Sequence, residues 1–349
     1  MSEGGTGDIS GSLGRRRGSG GVIDQVELLT IAQGFVASSV LFALMRLDIF
    51  GAIGDGEMSA LELASMHGAD NGRLARILDV GVMHGLLARS DANKYSVPLG
   101  LQSMVLDATA PGYLGNWLSF LESWYAPFGA LDDMSFGSTT VGMYETDDGT
   151  IRRNTLAMHD FASLRGKEIV EFLDLSECLS LLDVGCGPGT YSFELGARNP
   201  QMSLDLLDQP VVLEVAREIA KGYALSNAIR FIPTDLQADR LTGEYDAVLV
   251  SNVLQAFEPA VAEGLLKKIF DVIAPGGSVI VQAQFLADDR RGPRWPSYVD
   301  LACLCFTDGG QNHTVSETIA WLRNAGFSDI DHHPMSLLNA NSFVRGFKR

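Results

Sequence analysis

The sequence is poor in cysteine, and the spacing of its cysteines argues against a zinc-binding domain and against a disulfide-bonded domain. The 349 residues include four, at positions Cys178, Cys186, Cys303 and Cys305. Because none of them forms a Cys-x-x-Cys pair, we expect neither a zinc site nor a disulfide framework. The pattern instead predicts a protein without a bound metal that works in a reducing, cytoplasmic setting.

Positive charge is scarce as well. The chain has 26 lysines and arginines against 43 aspartates and glutamates, which gives a formal net charge of −17. Nucleic acids and anionic membrane surfaces would repel such a chain, so we expect neither as a partner.

The N-terminal region lacks the apolar core of a signal peptide. Residues 1–22 are rich in glycine and serine and are predicted to be a disordered tail. The longest apolar stretch follows at Val26–Met45 and approaches the length of a membrane span, but Glu27, Gln33 and Ser38 interrupt it. We therefore expect a buried helix at a subunit interface, and hence a homodimer with no membrane partner.

Residues 23–110 have the pattern of a mostly helical, winged-helix domain. Ser59 and Glu62 form a capping box, Asp70 is placed to cap a second helix, and two short strands at 85–89 and 94–97 predict a hairpin. This domain leaves open a DNA-binding regulator as an alternative. Against this alternative, the second helix offers only Arg73 and Arg76 to DNA phosphates. The neighbouring acids Asp70 and Asp79 neutralise these two positive charges.

The residues around 181–191 predict the strand, turn and helix that open a βαβ unit. An apolar run ends at Asp183, glycines follow at Gly185, Gly187 and Gly189, and a helical pattern begins after Thr190. Glycines at such a turn let a ligand approach the backbone closely.

A second predicted strand ends in another acid, Asp208, where a carboxylate can bind the two hydroxyls of a ribose. The glycine turn contains no lysine or arginine, so we expect no phosphate there. The inferred ligand has a ribose and a positive or zwitterionic part. S-adenosylmethionine fits this description.

The segment Asp183-Val184-Gly185-Cys186-Gly187-Pro188-Gly189 resembles motif I of class I S-adenosylmethionine-dependent methyltransferases. The order of the later segments is similar to that of the small-molecule O-methyltransferases with an N-terminal winged-helix dimerisation domain. The resemblance implies methyl transfer to a small organic acceptor of secondary metabolism. A protein that binds the cofactor without transferring methyl groups is a second alternative.

Residues 111–349 are predicted to form the cofactor-binding domain. From Ser180 onward strands and helices alternate, which is typical of an α/β, doubly wound, Rossmann-like domain. The resemblance implies that the last strand is antiparallel. It also implies that Asp235 and Leu236 contact the adenine. Ser251 and Asn252 end the fourth strand, at the edge where α/β domains bind ligands.

An aromatic-rich segment at 111–137 contains Trp117, Phe120 and Trp124, and Met158 lies on a later predicted helix. These side chains could pack between the domains or form the wall of a flat or apolar ligand site. The resemblance implies the second role.

The catalytic position departs from the family. Gln255 stands where the O-methyltransferases have their basic histidine, and glutamine cannot act as a base at neutral pH. The resemblance favours O-methylation, while this departure makes C-methylation an alternative. His159 and Asp300 are the other candidates for a base, and His313 is expected at the mouth of the pocket.

Overall fold

The computed structural model describes residues 23–137, 147–164, 166–335 and 341–349, so the expected tail at 1–22 lies outside the described residues. Backbone contacts divide the chain into two compact units, Met1–Pro98 and Leu99–Arg349. We expected a boundary after residue 110. The first helix of the second unit is Leu99–Val105, and the carbonyl of Met104 accepts a hydrogen bond of 2.8 Å from the N–H of Leu114. This bond ties the intervening segment to the second unit.

The first unit is mostly helical with a small antiparallel sheet, whose strands lie in the order β1-β3-β2. Its elements are α1 (Gln25–Arg46), α2 (Ile49–Ile53), β1 (Met58–Ser59), α3 (Ala60–His67), α4 (Asn71–Met83), β2 (Ala88–Arg89) and β3 (Lys94–Ser96). Both halves of the Ser59–Glu62 capping box are formed, and Asp70 caps α4. Asp79 accepts hydrogen bonds from Arg89 (2.8 Å) and from the hydroxyl of Tyr95 (2.7 Å). The winged-helix expectation is confirmed.

Helix α1 is apolar but largely uncovered within one chain. Phe42 and Leu44 are buried, whereas Ile31 is 67% and Phe35 60% exposed. By length and composition alone, this helix could also cross a membrane. A contiguous apolar surface of this kind marks an interaction site. The interaction expected from the sequence is pairing with a second copy of the chain.

The second unit contains a seven-stranded sheet with helices on both faces, as expected for a doubly wound α/β domain. Its helices are α5 (Leu99–Val105), α6 (Gly115–Ser123), α7 (Tyr125–Phe128), α8 (Leu131–Met134), α9 (Asp148–Ser163), α10 (Gly166–Leu173), α11 (Thr190–Arg198), α12 (Pro210–Ala220), α13 (Pro259–Val272), α14 (Arg294–Phe306) and α15 (Val315–Ala325). Its strands are β4 (Ser180–Val184), β5 (Ser203–Asp208), β6 (Ile229–Pro233), β7 (Tyr245–Ser251), β8 (Ile273–Gln284), β9 (Ser328–Pro334) and β10 (Asn341–Phe347).

The strand order is β6-β5-β4-β7-β8-β10-β9. Strands β4 to β8 pair in parallel, and β10 is antiparallel to both β8 and β9. The order reverses between β4 and β7, and the carboxyl ends of strands at such a point form the ligand crevice of open α/β sheets.

Each face of this sheet covers its own hydrophobic core. Val279 and Val281 of β8 pack in the same core as α13 and α15, while Ile280 packs with α10, α11 and α12. Because side chains alternate along a strand, Gln282 and Gln284 continue the second face. That face therefore becomes polar toward the carboxyl edge of the sheet.

We predict that replacing Ile31 and Phe35 together by glutamate converts a dimer into a monomer. The charges would lie in the apolar face of α1, where pairing would bury them without partners. Light scattering should give twice the chain mass for the unaltered protein and the chain mass for the variant.

The control is Leu179→Glu, since Leu179 is 64% exposed but belongs to the second unit. This variant should remain dimeric. An unaltered protein that is monomeric in dilute buffer, or that needs detergent to stay in solution, would contradict the prediction.

Candidate active site

The glycine turn after β4 is held against the end of β5. The N–H groups of Gly185 and Cys186 both donate to the carbonyl of Leu207, at 2.8 and 3.0 Å. Gly185 has φ +68°, and a Cβ there would lie 2.7 Å from a methyl carbon of Val253, so the position admits only glycine. At Gly187, with φ +54°, a Cβ would meet nothing within 4 Å. The turn thus presents bare backbone to an open space.

Two acids lie beside this turn. Asp208 accepts the N–H groups of Gly187 and Gln209, each at 2.8 Å. Desolvation raises its pKa to about 6, although the two backbone donors act in the opposite direction. Asp183 is buried and accepts the hydroxyl of Ser192 at 2.5 Å, and desolvation raises its pKa to about 7. Both carboxyls would therefore ionise more readily beside a cationic ligand.

The loop after β6 forms another wall. A methyl carbon of Leu236 lies 3.4 Å from the position of a Cβ on Gly185. Asp235 is exposed, and one of its oxygens accepts the N–H groups of Gln237 (2.9 Å) and Ala238 (3.1 Å). The ammonium of Lys268 donates to the carbonyls of Leu236 and Gln237 and holds this loop in place.

Polar atoms without partners collect where β7 ends. Asn252 has φ +54°, and its N–H donates to the carbonyl of Gln282 at 2.9 Å. The Nε2 of Gln255 donates to the carbonyl of Asn252 at 2.9 Å, and the hydroxyl of Ser251 donates to Oε1 of Gln282. The Oδ1 of Asn252 and the Oε1 of Gln255 are buried with no hydrogen-bond partner. Such atoms call for a ligand or an ordered water.

The four residues predicted to contact a substrate lie together. They belong to one aromatic cluster, formed by Trp117, Phe120, Leu121, Trp124, Phe128, Ala157, Met158, Trp295, Ala302 and Phe306. Trp124 and Trp295 stack with ring centroids 6.0 Å apart and planes 11° apart. The indole N–H of Trp295 donates to Oε1 of Gln284 at 3.1 Å, which joins the cluster to β8.

Helix α9 connects this aromatic cluster with the glycine turn. Its Met158 packs in the cluster, while Nδ1 of His159 lies 2.8 Å from the hydroxyl of Thr190, the first residue of α11. Burial lowers the pKa of His159, so the ring is neutral near pH 7. Asp160 accepts the N–H groups of Asn116 (2.8 Å) and Trp117 (3.1 Å) and so fixes the start of α6.

The remaining two candidates lie in packed surroundings. Asp300 accepts the N–H of Asn312 at 2.7 Å and holds the loop before α15. His313 was expected at the mouth of the pocket, and this expectation was wrong. The ring is only 2% exposed, and its centroid is 5.4 Å from those of Phe285 and Trp321, in the core of the other sheet face.

Five further polar or aromatic residues lie near this site and were not predicted from the sequence: Gln282, Gln284, Asn341, Trp295 and Asp160. A signal existed for the two glutamines, because they occupy alternate positions in an otherwise apolar buried strand. In the part of the chain that the structure describes, no group of three histidine, cysteine, aspartate or glutamate side chains could hold a metal ion.

Comparison with known proteins identifies the family. Residues 126–328 match the model of the O-methyltransferase domain, and residues 29–98 match that of the O-methyltransferase dimerisation domain. The chain belongs to the O-methyltransferase family. It is a methyltransferase that uses S-adenosylmethionine and acts on small molecules. The dimerisation domain supports a homodimer.

Relatives of known function align along most of the chain. A 3-hydroxy-5-methyl-1-naphthoate 3-O-methyltransferase of Streptomyces sahachiroi is 25% identical, over 92% of this chain and 94% of its own. The tetracenomycin polyketide synthesis 8-O-methyl transferase TcmO of Streptomyces glaucescens is 26% identical, over 87% and 91%. The crystal structure of human N-acetylserotonin methyltransferase with S-adenosylmethionine has the same fold. Its TM-score is 0.82 at 24% identity, with coverage of 95% of this chain and 99% of that one.

His313 should make this O-methyltransferase less stable in acid. Both ring nitrogens are buried without partners, and burial lowers the pKa to about 4, below the ordinary histidine value of about 6.5. The unfolded chain therefore takes up the proton first, and stability is lost as the pH falls from about 6.5 toward 4. The loss approaches about 3 kcal/mol, at about 1.4 kcal/mol for each pKa unit.

His313→Phe removes this loss and should be at least as stable as the unaltered protein at pH 7. Denaturant unfolding of both proteins between pH 7 and 4.5 measures the difference. Asp183 and Asp208 titrate in the same range but are common to both proteins. Two stability curves that run parallel would show that His313 is not responsible.

Proposed function

We propose that the enzyme methylates a planar, hydroxylated aromatic acceptor that lies against the aromatic cluster. The observation that carries this proposal is the course of α9, which joins the cluster at Met158 and the glycine turn at His159. The half-buried indoles of Trp117 and Trp295, 6.1 Å apart between ring centroids, offer flat, apolar walls that favour a flat ligand. The two Streptomyces relatives, which act on a naphthoate and in tetracenomycin synthesis, support the same class of acceptor.

The residues around the turn fit the cofactor. Bound S-adenosylmethionine supplies a methyl group already activated on a sulfonium. Asp208 would accept the ribose hydroxyls, and the backbone at Gly185 and Gly187 would lie against the ligand. Leu236 would cover the adenine, and the second oxygen of Asp235 would accept from its amino group. Asp183, Ser251 and Asn252 would line the part nearest the sulfonium.

The chain's own contribution to transfer is positioning, with no histidine at residue 255 to remove a proton. A phenol with a pKa of about 10 is ionised to roughly one part in a thousand at pH 7. The Oε1 of Gln255 is buried without a partner. It would accept a hydrogen bond from the hydroxyl of the methylated substrate and so orient that substrate. Two candidates for a base remain. His159 is neutral and can take a proton, and Asp300 keeps lone pairs free beside its bond from the N–H of Asn312.

Methylation of an enol-like carbon is the second candidate. The observation that favours it is Gln255 itself, because an electron-rich carbon attacks the methyl group before any proton needs to leave. Carbon–proton NMR of the product would distinguish C-methylation from O-methylation, because it shows whether the new methyl group is bonded to carbon or to oxygen.

We further propose that the enzyme works as a cytoplasmic homodimer. The dimerisation-domain match supports the dimer, and the four cysteines, all free, suit a reducing compartment.

Asp208→Ala should weaken S-adenosylmethionine binding by about 1.5–3 kcal/mol, because charge-assisted hydrogen bonds to the ribose are lost. Binding to the unaltered protein should also weaken as the pH falls below about 6, since the protonated carboxyl is the poorer acceptor. Calorimetry between pH 5 and 8 measures both effects. Asp331→Asn, at an exposed site on β9, is the control and should bind normally. An unchanged dissociation constant for Asp208→Ala would remove this residue from the site.

Gln255→Ala should lower turnover about tenfold or less and leave the pH profile unshifted, because only an orienting contact is lost. Gln255→His should raise turnover and introduce a limb near pH 6.5, the ordinary pKa of histidine. Transfer of labelled methyl to 1-naphthol between pH 5 and 9 measures both.

His159→Ala and Asp300→Ala in the same assay test the two other candidate bases. Loss of a pH-dependent limb in either variant would assign the proton to that residue, and an unchanged profile in both would leave positioning alone. If Gln255→Ala abolishes turnover while cofactor affinity stays intact, the purely orienting role is wrong.

A further inference from the structure

A row of buried, uncharged amides lies on the sheet face that also carries Asp208 and Ser251. This amide row consists of Gln282 and Gln284 on β8 and Asn341 on β10. Gln282 is 0%, Gln284 6% and Asn341 1% exposed. Asn341 pairs with Gln284 across the antiparallel strands, so their side chains point to the same face.

The amide row is only partly satisfied by the protein. Gln284 accepts the indole N–H of Trp295, and Gln282 accepts the hydroxyl of Ser251. The Nε2 of Gln282 has no partner, and neither Oδ1 nor Nδ2 of Asn341 has one. Buried amide groups in proteins are almost always hydrogen-bonded, so these three atoms indicate a ligand that completes them.

The charge around the row restricts that ligand. Among the described residues, none of the buried charged side chains is a lysine or an arginine. The buried Asp160 near the aromatic cluster already accepts hydrogen bonds from the start of α6. A carboxylate placed on the amide row would exchange its hydration for contacts with uncharged amides, which is unfavourable.

We propose that Gln282 and Asn341 recognise the methyl acceptor, and that the acceptor is uncharged with a carbonyl next to an N–H or O–H group. The amide of Asn341 presents a donor and an acceptor in one plane and pairs with both groups of such an edge. The Nε2 of Gln282 donates to a second oxygen. The inference rests on the proposed function, because it places the acceptor beside the same aromatic cluster.

The row also orients the acceptor. Gln282 is bonded to Ser251 and, through its carbonyl, to Asn252 at the cofactor edge, whereas Asn341 lies one strand further away. The reacting group therefore lies toward Gln255 and the carbonyl edge toward β10.

Two probes of matched shape test the charge preference. These are 3-hydroxy-2-naphthamide, which is neutral, and 3-hydroxy-2-naphthoate, which is charged. Their binding is followed by quenching of tryptophan fluorescence in the presence of saturating S-adenosylhomocysteine. The unaltered protein should bind the amide at least about tenfold more tightly, because hydrogen bonds are made without burying a charge.

The isosteric variants Gln282→Met and Asn341→Leu should each lose about tenfold or more in affinity for the amide and little for the naphthoate. The melting temperature of Asn341→Leu should not fall, since two unpartnered polar atoms are replaced by apolar ones of similar shape. Gln282→Met also removes the bond from the hydroxyl of Ser251, so a small fall is expected there. His313→Phe is the matched control. It removes two unpartnered buried nitrogens from the opposite face and should change neither probe affinity.

Equal or tighter binding of the naphthoate, no binding of the amide by the unaltered protein, or full amide affinity in both variants would overturn this inference. The fluorescence measurement reports binding without turnover, and a separate assay with S-adenosylmethionine reports methylation.

A bound amide that is never methylated would count against the proposed function alone. Methylation of both probes without preference would count against the amide row alone.

Discussion

The attachment of the glycine turn to the end of β5 is the constraint on which the ligand-binding edge depends. Two N–H groups of the turn converge on the carbonyl of Leu207, and Gly187 donates to Asp208. A carboxylate offers about four lone-pair sites, so Asp208 can hold the turn and still accept from a ligand. Structure and binding therefore share one side chain, whose pKa of about 6 reflects its partial removal from water.

Helix α9 relates this edge to the aromatic cluster. One turn of the helix supplies Met158 to the cluster, His159 to Thr190 and Asp160 to the start of α6. Trp117 is thereby positioned by a buried carboxylate, and it stacks on Phe161 of the same helix at 4.5 Å. A rigid element thus joins the proposed sites of the methyl donor and the acceptor, and alignment of two reactants requires such rigidity.

The chain has a formal charge of −17, yet the groups that we propose to face the acceptor are neutral. Carboxyl groups lie beside the glycine turn, at Asp183 and Asp208, while the amide row and the indoles of the aromatic cluster carry no charge. Gln255 continues this pattern at the position where the family has a histidine. We expect a site of this composition to select by shape and hydrogen-bond pattern and to disfavour charge through desolvation.

Local signals in the sequence determined much of the architecture. The capping box at Ser59, the glycine turn and the apolar strands act over a few residues, and the structure has each of them where it was predicted. The predicted substrate residues could be named as a group, because aromatic side chains were concentrated in one segment. Gln255 could be identified by its place in a motif.

Only the tertiary structure decided which distant residues meet and which face each one occupies. Asn341 reaches Gln284 because β10 inserts antiparallel beside β8, a pairing that no local pattern specifies. His313 lies in the opposite core because the loop before α15 passes to that side of the sheet, and the division after Pro98 follows from backbone contacts rather than composition. Long-range pairing and burial depend on the whole chain. The amides of the proposed acceptor site therefore come together only when the sheet is assembled.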